Sequence, residues 1–117
     1  MRGMEDCIFC KIVAGKIPSS KVYESEEVLA FDDIHPMAPV HVIIIPKRHI
    51  PTLMDVTPAA VKTVGALIVA VQEVARIKGI DKKGFRVVTN CNEDGGQVIF
   101  HLHMHVLGGM RLKDELA

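Results

Sequence analysis

The chain has 117 residues, 49% of them hydrophobic and 24% charged, with fourteen Lys and Arg balancing fourteen Asp and Glu. That length suits a single domain spanning residues 1–117, and a mean hydropathy of +0.26 is too apolar for intrinsic disorder. The balanced charge lacks the basic field of a nucleic-acid binder, no apolar run approaches the ~20 residues of a bilayer span, and the first residues lack a signal peptide's apolar stretch. The expectation is a soluble, cytoplasmic protein with neither nucleic acid nor membrane among its partners. Three cysteines, an odd number, fit a reducing compartment better than a disulfide framework. Lys113-Asp114-Glu115-Leu116 looks like a retention tetrapeptide, but such signals end a chain and Ala117 follows.

In chain order, Asp6 is placed to cap a short helix carrying Cys7, Ile8, Phe9, Cys10 and Ile12, which Gly15 and Pro18 stop. Val22 to Glu24 and Val28 to Asp32 read as a hairpin around Ser25-Glu26-Glu27. Val40-His41-Val42-Ile43-Ile44-Ile45 is β-branched almost throughout, which predicts a central strand covered on both faces and ended by Pro46. Thr57-Pro58 is a helix start, the hydroxyl suited to an orphan N–H and proline to the first turn, and Gly79 is the stop. Between Lys62 and Gln72 no face of that helix is charged. One sheet covers one side, so the other side is expected to pack on a second subunit, most simply in a two-fold homodimer. Phe85 to Thr89 is a further strand, Asn90 to Gln97 a polar loop, and Val98 to Leu107 the last long strand. The class is α+β: an antiparallel sheet with one long helix and a short N-terminal helix, the helices expected on one face.

The chemistry is concentrated in histidine. Five of six histidines fall in two groups, His41 with His49 and His101 with His103 and His105. Along Phe100-His101-Leu102-His103-Met104-His105-Val106 a strand places three imidazoles on one face and the apolar residues on the other. Two chemistries want such a ladder: a catalytic zinc held by His-x-His with an open position for water, or attack of a neutral imidazole on phosphorus. Asp94-Gly95-Gly96-Gln97, just upstream, allows backbone N–H groups to approach an anion. Cys7 and Cys10, at i and i+3, suit tetrahedral zinc and a redox pair equally well.

These residues resemble the His-x-His-x-His signature of the histidine triad (HIT) superfamily, particularly its Hint-like branch. The likeness extends over nearly the whole chain, through Cys7-Ile8-Phe9-Cys10-Lys11-Ile12, Ala30-Phe31-Asp32-Asp33-Ile34, Ala38-Pro39-Val40-His41, Ile45-Pro46-Lys47-Arg48-His49-Ile50 and His105-Val106-Leu107-Gly108-Gly109. It implies a dimeric HIT-like fold and a hydrolase or nucleotidyl transferase that cleaves purine nucleoside monophosphates, AMP-type phosphoramidates above all, from a leaving group. It implies His103 as the nucleophile that becomes nucleotidylated, and His105 on the phosphate oxygens with the backbone of Gly96 and Val98 and the side chain of Asn90. His41 would hydrogen-bond within the histidine network and help set the tautomer of His103. Ile8, Phe9 and Ile34 would form an apolar base pocket, although core packing accounts for Phe9 equally well, and Asp33 would accept from the ribose hydroxyls. Val98 departs from the serine many members carry near the leaving group, and the C-terminus lacks the aromatic and proline tail of some relatives. The resemblance further implies a structural zinc on Cys7, Cys10, His49 and His101, a closed Cys₂His₂ set with no place for water; reduced thiols without metal are the alternative. Two other functions remain open at this point: a hydrolase with zinc on the triad itself, and a non-catalytic nucleotide-binding adaptor.

Overall fold

The computed structural model describes residues 4–114, so Glu115 and Leu116 of the tetrapeptide, and the chain's first three residues, lie outside the described residues. Five strands, β1 (Lys21–Glu24), β2 (Val28–Asp32), β3 (Val40–Pro46), β4 (Arg86–Val88) and β5 (Met104–Gly108), form one sheet in the order β1-β2-β3-β5-β4. Every neighbouring pair is antiparallel. Two helices, α1 (Ile8–Val13) and α2 (Val61–Ile77), complete the architecture.

The strand alternation sorts side chains to two sheet faces, both buried. Val28, Ala30, Val42, Ile44, Met104 and Val106 pack beneath Leu67, Ala70, Val71 and Val74 of α2. Leu29, Phe31, Ile43 and Ile45 point the opposite way, onto Phe9 and Ile12 of α1. The largest side chains among these that are sealed from solvent are Leu29, Ile44, Ile45 and Leu67, each contributing about 1.5–3 kcal/mol of apolar transfer. The helices therefore cover opposite faces, not one. α1 is only six residues long, and the histidines lie on its side of the sheet, with Phe9 against the rings of His101 and His103.

Several local expectations shift. The cap of α1 is Cys7, whose Sγ accepts from the Cys10 N–H at 3.3 Å, and Asp6 sits in a preceding 3₁₀ turn. Thr57 makes no side-chain cap; Pro58–Ala60 is a 3₁₀ turn that runs into α2, and Gly79 ends it with φ +70°. The last strand begins at Met104, not Val98, because residues 98–103 have no hydrogen-bonding neighbour strand and instead run past Ile50, whose carbonyl takes the Leu102 N–H at 2.6 Å. The alternation persists without the ladder: Leu102, Met104 and Val106 are buried toward α2, while Phe100 is only half-buried. Residues Pro58–Ile77 do have the length and hydropathy of a membrane span, but one side of the helix is the core of the domain. Its outer side leaves Val61, Ile68, Val69 and Ile77 about half or more exposed.

Candidate active site

The histidines converge as the sequence predicts, with β3 and β5 bringing His41 and His105 to one face. Ring centroids of His103 and His105 lie 5.1 Å apart, as do those of His41 and His105. His101, His103 and His41 are buried, and His105 is half-buried.

Fixed backbone groups dictate the proton on each ring, because an N–H can only donate and a carbonyl can only accept. Met37 N–H donates to His41 Nδ1 at 3.0 Å, so the proton of neutral His41 is on Nε2. That Nε2 lies 2.9 Å from His105 Nδ1 and donates to it, which leaves the His105 proton on Nε2. His103 Nδ1 donates to the His101 carbonyl at 2.7 Å, so its Nε2 carries an unshared pair; that carbonyl, and not His41 as expected, sets the tautomer of His103, while His41 bonds to His105. His101 Nε2 donates to the Pro46 carbonyl at 2.8 Å, turning its Nδ1 toward the thiols.

Burial reinforces these neutral states. It holds His103 and His41 below the ordinary histidine value, against an opposing pull from the His101 carbonyl on His103 and from Asp33 on His41. His105 is pushed down to about 4, first by burial and then by the neighbouring His103 and His41. Asp33 is tied in on both sides: one oxygen accepts from the His35 N–H at 2.8 Å, and the other is 3.4 Å from His41 Nε2.

The loop before the histidines is held by contacts that its composition does not announce. Gly95 is required, since a Cβ there would sit 2.5 Å from the Cys91 carbonyl oxygen. Asn90 donates to the Gly95 carbonyl at 2.7 Å. Gln97 is turned inward, donating to the carbonyls of Pro51 and Ile99 and accepting from Asn92 N–H. The Gly96 N–H, expected on phosphate, is committed to the Glu93 carbonyl at 3.0 Å. Val98 has an 86% exposed side chain at the loop's end. Thr89, which sequence reasoning missed, donates its hydroxyl to the His103 carbonyl at 2.8 Å; a threonine just past a strand carries no distinguishing signal.

The proposed base-pocket residues divide. Ile34 is 86% and Ile8 43% exposed, both open to a ligand, whereas Phe9 is 3% exposed. Its ring stands edge-on to Phe31, His101 and His103, at centroid distances of 5.8, 5.8 and 5.1 Å. Phe9 is thus a core residue against the His103 ring.

The four sulfur and nitrogen atoms of Cys7, Cys10, His49 and His101 all lie within 4.8 Å of one another. Cys7 Sγ is 3.3 Å and Cys10 Sγ 3.5 Å from His101 Nδ1, and Cys10 Sγ is 3.2 Å from His49 Nδ1. A tetrahedron with bonds of about 2.3 Å to sulfur and 2.0 Å to nitrogen has edges of roughly 3.3–3.8 Å, so this group can hold a metal. Without one, burial pushes the Cys10 thiol up to about 11, with Cys7 adding to the effect. Asp33, His41 and His105 are also mutually close, but the Met37 N–H keeps the shared proton on His41 Nε2 and leaves no lone pair there for a cation.

An antiparallel five-stranded sheet, with His-x-His-x-His running from the extended segment before β5 into that strand, defines the histidine triad class. The HIT domain profile matches residues 14–112, and the chain belongs to the HIT family. Within it, the chain is 43% identical over 113 residues to the Escherichia coli (strain K12) protein named purine nucleoside phosphoramidase, covering 97% of this chain and 95% of that one. It also resembles solved HIT family hydrolases. That of Clostridium thermocellum superposes with a TM-score of 0.93 at 42% identity, covering 97% and 98% of the two chains. That of Legionella pneumophila gives 0.90 at 40% identity, covering 93% and 97%. The chain is accordingly a HIT family hydrolase.

Proposed function

We propose that the protein hydrolyses purine nucleoside 5′-phosphoramidates, or transfers their nucleotide, through a nucleotidyl-histidine at His103. The observation that carries this reading is the His103 Nδ1 bond to the His101 carbonyl: it fixes the tautomer that leaves Nε2 basic, and burial keeps that nitrogen unprotonated near neutral pH. The lone pair of Nε2 attacks phosphorus, the bond from phosphorus to the leaving nitrogen breaks as that nitrogen takes a proton from solvent and departs as the free amine, and water then adds its oxygen to phosphorus, returns a proton to solvent, releases AMP and restores His103. His105 acts on the developing oxyanion, its Nε2–H aimed by the relay Met37 to His41 to His105. The Val98 N–H and the Asn90 amide are further donors for the phosphate. Asp33, beside His41, receives the ribose hydroxyls, and Ile8 and Ile34 flank the base.

The same hydrogen bonds disfavour zinc on the triad. One nitrogen of each ring is bonded to backbone or to His41, and the free nitrogen of His101 faces the thiols. Three lone pairs do not meet at one point. Zinc fits the Cys7, Cys10, His49, His101 group instead, where it would be four-coordinate and structural, with the Pro46 carbonyl orienting His101. When bound, it would tie α1 to the extended segment bearing His103. The exposed Val61, Ile68, Val69 and Ile77 of α2 support a homodimer through the outer face of that helix, in a cytoplasmic protein.

Incubation with adenosine 5′-phosphoramidate should release AMP, and His103→Ala should lose about 10³-fold or more of kcat. Retained turnover in that variant sinks the nucleophile assignment; AMP binding without turnover in the parent favours an adaptor.

A further inference from the structure

The backbone ladder between β4 and β5 stops short of His103. Its last pair is Val88 with His105, and β5 begins at Met104. Carried two residues further, the same register would set Asn90 opposite His103, a phosphate donor of the proposed site opposite its nucleophile. β4 ends at Val88, so the spacing between those two residues falls outside the ladder. Thr89 spans the gap with its side chain. It is half-buried, and its hydroxyl donates to the His103 carbonyl at 2.8 Å. The bond runs inward, from the end of β4 to the segment entering β5, and does not draw on the outer edge of the sheet.

The aim of His103 Nε2 depends on that segment as a whole. Its Nδ1 donates to the carbonyl of His101, two residues earlier, so ring and backbone move together, and this local bond cannot place Nε2 relative to other parts of the site. Hydrogen bonds from other elements do so. The Leu102 N–H donates to the Ile50 carbonyl at 2.6 Å and His101 Nε2 to the Pro46 carbonyl at 2.8 Å; both acceptors lie on β3 or the turn after it. Of these ties, the Thr89 hydroxyl alone comes from the β4 side, where Asn90 follows directly and holds the Gly95 carbonyl of the loop at 2.7 Å.

We propose that Thr89 is a positioning residue for nucleotide transfer: its hydroxyl registers the His103 backbone against Asn90, so that the Nε2 lone pair and the Asn90 amide meet the same phosphate. The inference rests on the nucleotidyl-histidine reading. Thr89 acts through His103 and Asn90, not on the substrate. Without the hydroxyl the His103 carbonyl loses that donor and the segment is released on its β4 side. A displacement of a reacting group by about 1 Å costs up to about a hundredfold in rate. The ties to Ile50 and Pro46 remain, so the shift is smaller and the expected loss is about tenfold.

The test uses a pair of substitutions. Thr89→Val keeps the β-branched shape and deletes the hydroxyl, whereas Thr89→Ser keeps the hydroxyl and deletes the methyl group. With adenosine 5′-phosphoramidate, at a temperature where circular dichroism shows every form folded, Thr89→Val should lower kcat about tenfold and leave KM within about twofold. Thr89→Ser should stay within about threefold of the wild type in both. Should Thr89→Val not fold, Thr89→Ala takes its place with the same expectation. A purely structural role would lower the Tm of Thr89→Val and leave kcat of the folded protein unchanged, and that result overturns the proposal. An equal loss of kcat in Thr89→Ser overturns it as well, because the hydroxyl would not be the cause. A wild type that does not cleave the compound overturns the nucleotidyl-histidine reading; a wild type that cleaves it, matched by Thr89→Val, overturns the role of Thr89 alone.

Discussion

Replacing Phe9 by leucine separates two roles that a base-pocket position and a core position would give it. The ring is 3% exposed and touches three other rings edge-on, those of Phe31, His101 and His103. Leucine keeps most of the apolar volume, so the cost is mainly the lost edge contacts at about 0.5–1.5 kcal/mol each, of which partial relaxation should leave a net loss of about 2 kcal/mol. For a domain of this length that corresponds to a fall of roughly 8 °C in Tm. The kinetic signature is sharper. If Phe9 only steadies the His103 ring in its attacking position, kcat for adenosine 5′-phosphoramidate should drop about tenfold, which is the effect of a small misplacement of a reacting group. KM and the inhibition constant for AMP should stay within about twofold. Steady-state hydrolysis and AMP competition on the same preparation give both numbers. A tenfold weaker AMP constant with unchanged kcat would mean that Phe9 contacts the base, and the positioning account would fail.

Purified protein should contain one zinc per chain, and a chelator should remove it with loss of stability before loss of chemistry. At free metal about 1,000-fold above Kd the linkage is about 4 kcal/mol, or roughly 15 °C in Tm; Cys10→Ser should show the same fall, and a metal-free protein whose Tm ignores the chelator contradicts the site. The depressed value of His105, about 4, makes stability pH-dependent. A histidine whose folded pKa lies below its unfolded one leaves the unfolded chain binding more protons, so stability is full above about 6.5 and is lost as the pH falls from there toward 4. Thermal melts across that window should show the decline in the wild type and a shallower one in His105→Asn; parallel curves would refute it. Ile68→Glu, on the exposed side of α2, should halve the sedimentation mass of a dimeric wild type, and a wild type that sediments as a monomer overturns the dimer.

What the sequence made legible was what repeats along it. The β-branched run Val40 to Ile45 announced a strand buried on both faces, and the alternation from His101 to Val106 announced which rings share a side. The histidine face survived even though only Met104 onward is hydrogen-bonded strand, because alternation needs extended backbone and not a ladder. Hidden from the sequence were contacts between distant segments. Nothing in Met37, Pro46 or Thr89 says that their backbone or hydroxyl groups orient His41, His101 and His103. The Gly95-Gly96 turn signalled an approach to an anion, whereas the group Gly95 approaches is the Cys91 backbone and the Gly96 N–H is consumed by Glu93 within the loop, intraloop contacts that composition does not encode. The short α1 likewise left its side of the sheet unspecified: six residues are too few to show in sequence which face they cover.

The direct test of the covalent route is rapid mixing of the protein with adenosine 5′-phosphoramidate, a quench that avoids acid, and intact-mass and peptide mass spectrometry. The hydrogen-bond pattern predicts one adenylate per chain on His103, absent from His103→Ala and accumulating when His105 is replaced by asparagine only if release slows more than attack. Turnover at full rate with the label on another residue, or with no adduct at times shorter than one turnover, would contradict it.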